Sequence, residues 1–66
     1  METGELYKHK NGNTYQIDKD CLIQINNVWE YGISYHNIES PDLLFVRTIE
    51  DFKKSFKKVS NVLGNR

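Results

Sequence analysis

His9, Cys21 and His36 are the side chains of this sequence that could ligate a metal ion or act as nucleophile and base. Protein zinc sites use closely spaced cysteines and histidines, whereas this chain has one Cys and no His-x-x-x-His pair. A Cys–His nucleophilic pair needs its two groups within hydrogen-bond reach, and nothing in this spacing establishes that geometry. The sequence therefore predicts no metal site, no cofactor, no catalytic residue and no enzymatic activity.

Four acidic residues lie in segments that the sequence predicts to be turns. Asp18 and Asp20 form an Asp-x-Asp pair of the kind found in calcium-binding loops, and Glu39 and Asp42 follow later in the chain. The glycine and the distal glutamate that complete such a loop are missing at the required spacing. These carboxylates therefore do not predict a calcium site.

Basic charge is concentrated near the end of the sequence, although the chain carries nine Lys+Arg and nine Asp+Glu in total. Residues 53–66 contain five basic side chains and no acid, so residues 1–52 carry the compensating negative charge. One interpretation is a solvated helix face whose lysines complement the helix dipole. The other is a contact surface for an acidic partner, either nucleic acid or protein. The candidate partner-binding lysines are Lys53, Lys54, Lys57 and Lys58.

Aromatic side chains are abundant for 66 residues, with four Tyr, three Phe and one Trp. A domain this small is not expected to enclose all of them, so some are expected to form a surface patch. Tyr and Trp provide a large contact area, which favours a protein interface or, alternatively, base stacking on a sheet. The other interpretation is that each tyrosine is half-buried with its hydroxyl in water. The candidate partner-binding tyrosines are Tyr7, Tyr15, Tyr31 and Tyr35.

The start of the sequence predicts a β-hairpin. Residues 6–9 and 14–17 alternate in the manner of strands, and they flank Asn11 and Gly12. An Asn-Gly pair between alternating segments is a strong signal for a type I′ turn, because both residues tolerate positive φ.

The middle of the sequence predicts a second hairpin. Residues 18–20 are typical of a turn, residues 21–25 form a short apolar strand, and residues 26–27, Asn-Asn, are candidates for a two-residue turn. Residues 29–36 then alternate over the longest stretch in the chain, which indicates a strand with one buried side. Gly32 within this strand suggests a bulge or a sharp bend. The face expected to be buried consists of Trp29, Tyr31, Ile33 and Tyr35.

A fifth strand is predicted at residues 43–47, after a loop over residues 37–42 whose Pro41 ends strand pairing. Because the apolar residues of this strand are consecutive, it is expected to be covered on both faces.

An amphipathic helix is predicted after Thr48, a natural N-cap with Asp51 three residues later. Acidic residues follow at the positive end of the helix dipole and lysines towards its negative end, and Gly64 is the expected C′ residue. We expect this helix to pack its phenylalanines against Trp29 and the preceding strand. Its apolar stripe consists of Ile49, Phe52, Phe56, Val59 and Leu63.

The two ends of this pattern resemble a known family. Residues 7–15 (Tyr-Lys-His-Lys-Asn-Gly-Asn-Thr-Tyr) are similar to the Tyr-x-His-x-Lys-Gly-Asn-x-Tyr opening of a small domain of unknown function, widespread in bacteria and phages. That family ends with a Trp-Val-Arg-Pro-type strand and a Phe in the next helical turn, where this chain has residues 44–48 (Leu-Phe-Val-Arg-Thr) and Phe52. The extra Asn11, the Thr in place of Pro and the middle of the chain depart from the family pattern. The resemblance implies an SH3-like barrel and no established reaction.

Composition bounds the class of protein further. Eight aromatics in a chain without net charge argue against disorder, and the sequence has no apolar run long enough to span a membrane. A single Cys and the absence of a visible secretory-signal pattern predict a reducing cytoplasm. Lys, Asn, Ile, Tyr and Phe are frequent and Ala is absent, which is typical of AT-rich genes of bacteria or phages.

These patterns predict one domain over residues 1–66, mainly β with one C-terminal helix: a small SH3-like five-stranded barrel plus an amphipathic helix. The expected function is that of a small non-catalytic binding protein, encoded by a phage or mobile element, that binds a host protein in the host cytoplasm and inhibits or redirects it, as anti-defence proteins do. Two alternatives stay open: a small nucleic-acid-binding barrel and a nucleotide-sequestering oligomer. A homodimer is a further expected partnership, because a domain of this size buries only about 60% of its unfolded surface.

Overall fold

The computed structural model of this protein describes residues 1–59. Within these residues, five strands form one antiparallel sheet, and a single short helix lies between the fourth and fifth strands. In chain order the elements are β1 (Leu6–His9), β2 (Thr14–Ile25), β3 (Val28–Asn37), β4 (Ser40–Thr48), α1 (Ile49–Ser55) and β5 (Phe56–Lys58).

The sheet is open, with the strand order β4-β3-β2-β1-β5. The prediction of a mainly β fold with one helix is confirmed. The structure also has five strands, but residues 14–17 and 21–25, predicted as two strands, both lie in β2, and β5 was predicted as part of the helix. Two finer expectations differ from the structure: the described strands do not close into a barrel, and the helix lies before the last strand of residues 1–59 instead of after it. The strands at the two edges of the sheet are therefore β4 and β5.

The two hairpins turn in different ways. Asn26 and Asn27 both have positive φ (51° and 65°), the conformation of a type I′ turn, and they join β2 to β3 as a two-residue turn. In the β1–β2 connection the positive φ belongs to Gly12 (96°), whose N–H donates to the His9 carbonyl (2.9 Å). The His9 N–H also donates to the Asn13 carbonyl (3.0 Å), so the loop between these bonded residues consists of the three residues 10–12 and ends in a left-handed glycine. The type I′ turn expected here is wrong. The additional asparagine supplies the third residue.

β2 is one continuous strand of 12 residues, so the turn expected at its Asp-Lys-Asp stretch is wrong. Ile17 pairs with Tyr35 and Lys19 pairs with Ser34, which leaves Asp18 as the extra residue of a β-bulge. The Ser34 hydroxyl donates to the Lys19 carbonyl (3.1 Å) and accepts from the Lys19 N–H (3.2 Å). The buried serine thus satisfies backbone groups at the bulge, where the ladder is interrupted.

Gly32 is not a bulge, although its position in a strand suggested one. It pairs with Cys21 in regular register, and the irregularity of this strand pair lies at Asp18 of β2. A Cβ at Gly32 would overlap the Ile23 side chain and would stand 3.0 Å from the Arg47 carbonyl oxygen. The glycine is therefore required by the close approach of neighbouring groups.

The start of α1 agrees with the prediction, and its end does not. The Asp51 N–H donates to the Thr48 hydroxyl oxygen (3.1 Å), which is the expected N-cap. The helix ends at Ser55, because Phe56 has extended backbone angles (φ −124°, ψ 144°) and begins β5. The expected C′ residue, Gly64, lies outside the described residues.

Pairing with β1 explains why the helix ends early. A helix of seven residues has little stability of its own, whereas β5 gains backbone hydrogen bonds by pairing antiparallel with β1. The Val59 N–H extends this pairing by donating to the Leu6 carbonyl (2.9 Å). The expected apolar stripe is thus divided between α1 and the segment that follows it, and its last member, Leu63, lies outside the described residues.

The core lies between α1 and one face of the sheet. The Phe52 and Phe56 rings stack with their centroids 4.0 Å apart, and the Tyr35 ring meets them edge-on at 5.1 and 5.2 Å. The expected contact between these phenylalanines and Trp29 is wrong, because Trp29 is 62% exposed. The buried apolar residues are Ile17, Ile33, Tyr35, Phe52 and Phe56.

Candidate functional site

Beyond Gly32, β2 and β3 continue as a two-stranded arm, which we define as residues 21–31. β4 pairs with β3 only between Gly32 and Asn37. The first four residues of β3 therefore pair with β2 on one side and with no described strand on the other. The molecule is correspondingly elongated, with extents of 44 × 22 × 19 Å. The face of the arm that carries Leu22, Trp29 and Tyr31 therefore lacks the cover that α1 gives to the rest of the sheet.

One face of the arm presents three large apolar side chains, Leu22, Trp29 and Tyr31, which we call the arm face. Leu22 pairs directly with Tyr31, and Trp29 lies two residues before Tyr31 on the same face. Their exposed fractions are 59%, 62% and 75%, respectively. Alternation places the buried Ile33 and Tyr35 on this same face of β3, so the arm face continues the core surface outwards into solvent.

A second apolar surface lies along β4, the edge strand next to β3. The expectation that this strand is covered on both faces is wrong, because Leu43, Leu44 and Val46 are each more than half exposed. Phe45 is 38% exposed and stacks on Tyr35 at 5.7 Å. One flank of β4 pairs with β3 and the other flank carries no strand of the described sheet, so apolar side chains and free backbone groups occur together at this edge.

Three of the four candidate tyrosines belong to the core or its margin. Tyr35 is 3% exposed, and its hydroxyl accepts a hydrogen bond from Arg47 Nε (2.8 Å). Burial raises the pKa of the Tyr35 phenol, which keeps the hydroxyl neutral. Tyr7 and Tyr15 are half-buried against the core, so among the four it is Tyr31 that is freely exposed. Tyr35 is therefore a core residue, not the surface contact that the sequence suggested.

The four candidate lysines do not lie on one helix face, because α1 ends between them. Lys53 and Lys54 belong to the last turn of α1, and Lys57 and Lys58 belong to β5. All four nevertheless line one groove with a volume of about 510 Å³. We call it the lysine groove; its six lysines are Lys8, Lys10, Lys53, Lys54, Lys57 and Lys58.

One lysine of the groove has an acidic partner among the described residues. Lys58 Nζ lies 2.8 Å from a carboxylate oxygen of Glu5. This hydrogen bond lowers the pKa of Glu5, which also accepts from the Glu2 N–H, and it raises the pKa of Lys58. The ion pair therefore favours the charged forms of both side chains.

The side chains considered for metal or nucleophilic chemistry occupy different parts of the sheet. His9 ends β1 and accepts a hydrogen bond from the Asn11 N–H at Nδ1 (3.0 Å). His36 Nδ1 lies 2.9 and 3.1 Å from the two carboxylate oxygens of Asp18, at the bulge, whereas Cys21 lies in the arm. Over residues 1–59, no three His, Cys, Asp or Glu side chains are grouped in a way that could hold a metal ion.

Comparisons with known proteins add no assignment. No protein-family model, curated protein or solved structure matches this chain. The resemblance of residues 7–15 to a domain of unknown function therefore stays a prediction. Within the part of the chain that the structure describes, no helix combines the length and apolar character needed to cross a membrane.

Two features of the site were not found from the sequence. The contribution of Lys8 and Lys10 to the lysine groove depends on β5 pairing with β1, which a continuous helix over residues 49–63 would not allow. Leu22 of the arm face was assigned to a strand and not to a surface. Leu22 shares its face of the strand with Asp20 and Gln24, which are two residues away on either side and are both exposed. These polar neighbours were a signal that this side of β2 faces solvent.

Proposed function

We propose that this chain is a small non-catalytic binding protein that docks on another protein through its arm face and the β4 edge. The observation that carries this proposal is the distribution of large apolar side chains: ten are exposed and five form the core. Nine of the exposed ten lie in the arm or on β4. They are Leu22, Trp29 and Tyr31 on the arm face, Ile25 and Val28 on the opposite face of the arm, and Leu43, Leu44, Phe45 and Val46 on β4.

The exposure of several neighbouring apolar side chains to water is unfavourable in free energy. Single exposed apolar residues are ordinary on soluble proteins, whereas contiguous apolar patches mark interaction surfaces. Trp29 and Tyr31 are residue types that dominate binding energy when they are buried in an interface. The exposed edge of β4 adds backbone donors and acceptors that a partner strand can pair with. Together these features support recognition of a folded protein surface.

The partner that we propose is a host protein of the bacterium in which a phage or mobile element expresses this chain. The AT-rich residue usage and the resemblance of residues 7–15 support this origin. Docking on the arm face would inhibit or redirect the partner by covering part of its surface, which requires no catalytic group on this chain.

Capture from bacterial lysate tests the proposal when it is combined with a matched pair of variants. Trp29→Ala removes the largest side chain of the arm face, and Ile38→Ala is the control, because Ile38 is exposed (46%) but lies outside the arm. We expect the parent and Ile38→Ala to retain one discrete protein after nuclease treatment, and Trp29→Ala to lose it. Retention by Trp29→Ala, or loss of every partner on nuclease treatment, would contradict docking through the arm.

The same surface has a second candidate occupant, a further copy of this chain. Light scattering of the purified protein distinguishes the two cases, because self-association through the arm gives a dimer that Trp29→Ala converts to a monomer. A parent protein that is monomeric at high micromolar concentration leaves the apolar surface free for a different protein, as we propose.

A further inference from the structure

The lysine groove combines cationic side chains from three parts of the fold: β1 with the turn that follows it, α1 and β5. β1 and the turn after it supply Lys8 and Lys10, and the Lys10 N–H donates to the Ser55 carbonyl at the end of α1 (3.1 Å). This bond fastens the turn to the helix end. The remaining lysines of the groove come from α1 and β5, so residues distant in sequence form one positively charged concavity.

Ordinary structural roles account for half of these lysines. Lys53 and Lys54 lie in the last turn of α1, where positive charge is favourable against the helix dipole. Lys58 is paired with Glu5. Lys8, Lys10 and Lys57 form no ion pair with the acidic residues of the described chain, so their charges are uncompensated.

The register of β1 and β5 places two of these uncompensated charges side by side. Lys8 is the direct cross-strand partner of Lys57, so the Cβ atoms of the two lysines are about 5 Å apart on the same face of the sheet. Like charges directly opposite one another destabilise a sheet. A charged residue on the edge strand β5 discourages pairing with other strands, but the position of Lys8 beside it brings two positive charges together with no acidic partner among the described residues.

An anion in the groove would convert that repulsion into attraction. The groove has a volume of about 510 Å³, within the range of small-molecule sites. Two of its lining residues, His9 and Phe56, directly follow Lys8 in β1 and precede Lys57 in β5. Their rings pack on each other at 4.7 Å on the opposite, core-facing side of the sheet.

From this geometry we propose that the lysine groove binds a compact, multiply charged phosphate ligand, namely a triphosphate group. The site is separate from the arm face and does not depend on the proposed docking function. A long nucleic acid fits the charge distribution less well, because the chain has no net charge and the nine acidic side chains of residues 1–52 would repel a polyanion that extends beyond the groove. A triphosphate places its negative charges within the groove alone.

The test uses the full 66-residue chain and three probes: inorganic triphosphate, ATP and a single-stranded oligonucleotide. Lys8→Gln with Lys57→Gln removes the cross-strand pair, and Lys19→Gln is the matched control, because Lys19 is an exposed lysine outside the groove. Titration calorimetry should show saturable binding of triphosphate and ATP to the parent and to Lys19→Gln. The double variant should bind at least about tenfold more weakly, since it lacks two charged contacts.

A thermal melt separates ligand binding from a structural role of the two lysines. Without ligand, the double variant should melt at or above the temperature of the parent, because the repulsion is gone; with triphosphate, the parent should gain stability and the variant should not. Three results would overturn the proposal: no binding of triphosphate or ATP by the parent, an equal loss of binding in Lys19→Gln, or binding of the oligonucleotide alone.

Discussion

The two halves of β3 have the same alternating sequence and opposite environments. In the second half, Ile33 and Tyr35 are almost completely buried beneath α1, whereas in the first half Trp29 and Tyr31 are more than 60% exposed on the same face. The difference arises from the neighbours, because β4 pairs with the strand only from Gly32 onwards and the rings of Phe52 and Phe56 pack against Tyr35 in its second half. Alternation thus identifies the apolar face of a strand. The tertiary packing of the neighbouring elements determines how much of that face is covered within the chain.

Truncation of one aromatic side chain in each half gives the largest contrast. Phe52→Ala should reduce the free energy of unfolding by about 3–5 kcal/mol, because Phe52 is fully buried among the rings that cover the second half of β3. Trp29→Ala should change it by no more than about 0.5 kcal/mol, because its side chain is exposed. Urea denaturation measures both, and equal midpoints for the two variants would show that the arm is part of the core.

Gly32 stands at the boundary between the halves, and its substitution should have an intermediate effect. Gly32→Ala should cost about 1–3 kcal/mol, because the new Cβ overlaps Ile23 and approaches the Arg47 carbonyl. Introduced together with Ile23→Ala, the same change should cost less, since one of the two obstacles is removed. Denaturation of the four proteins of this cycle measures the coupling, and a cost that is independent of Ile23 would argue against the close approach.

Removal of a single hydroxyl tests the same comparison more finely. Tyr35→Phe should cost about 0.5–1.5 kcal/mol, because the buried Tyr35 hydroxyl accepts a hydrogen bond from Arg47. Tyr31→Phe is the control, since Tyr31 is 75% exposed and its hydroxyl has water as a partner before and after unfolding. Thermal melting should separate Tyr35→Phe from the parent and leave Tyr31→Phe unchanged. A lower melting temperature for Tyr31→Phe than for Tyr35→Phe would contradict this assignment, because it would show that the hydroxyl that stabilises the fold belongs to Tyr31.

The smallest expected effect is a pH dependence at the β1–β5 side of the sheet. The hydrogen bond from Lys58 lowers the pKa of Glu5 below its ordinary value of 4.5. Because the unfolded chain binds a proton at Glu5 more readily, this contribution to stability is complete above pH 4.5 and declines as the pH falls through the lowered pKa. Melting curves recorded from neutral to acidic pH should show a shallower decline for Glu5→Gln and for Lys58→Gln than for the parent. A decline as steep in both variants as in the parent would assign the acid sensitivity to other groups.

The turn between β2 and β3, the strand β3 and the start of the helix were accessible from the sequence because their signals are local. The Asn26-Asn27 turn, the Thr48 cap and the alternation of β3 each depend on residues within a few positions of one another. The bulge at Asp18 was not accessible, because an Asp-Lys-Asp stretch has the composition of a turn, and only pairing with β3 and the Ser34 hydroxyl holds it within a strand.

The end of the helix and the candidate site could not be predicted from the hydrophobic pattern, because both depend on pairing between strands that are distant in sequence. Phe52 and Phe56 are four residues apart, a spacing that predicts one helix face. In the structure the helix ends at Ser55, because Phe56 pairs with His9 as part of a strand. That change brings Lys57 next to Lys8 and creates the lysine groove. The four consecutive apolar residues of β4 suggested a covered strand, since sequence alone does not distinguish burial within the chain from burial against a partner.

The two edges of the sheet are unlike, and this limits any assembly that grows by strand addition. β5 carries Lys57 and Lys58, and charged side chains hinder the pairing of an edge with another strand, whereas β4 presents its apolar run. A fibre that grows by adding strands at β4 and β5 needs both of these edges to be receptive, and of the two it is β4 that is apolar. Two copies that pair through their β4 edges would therefore give a closed pair instead of a filament.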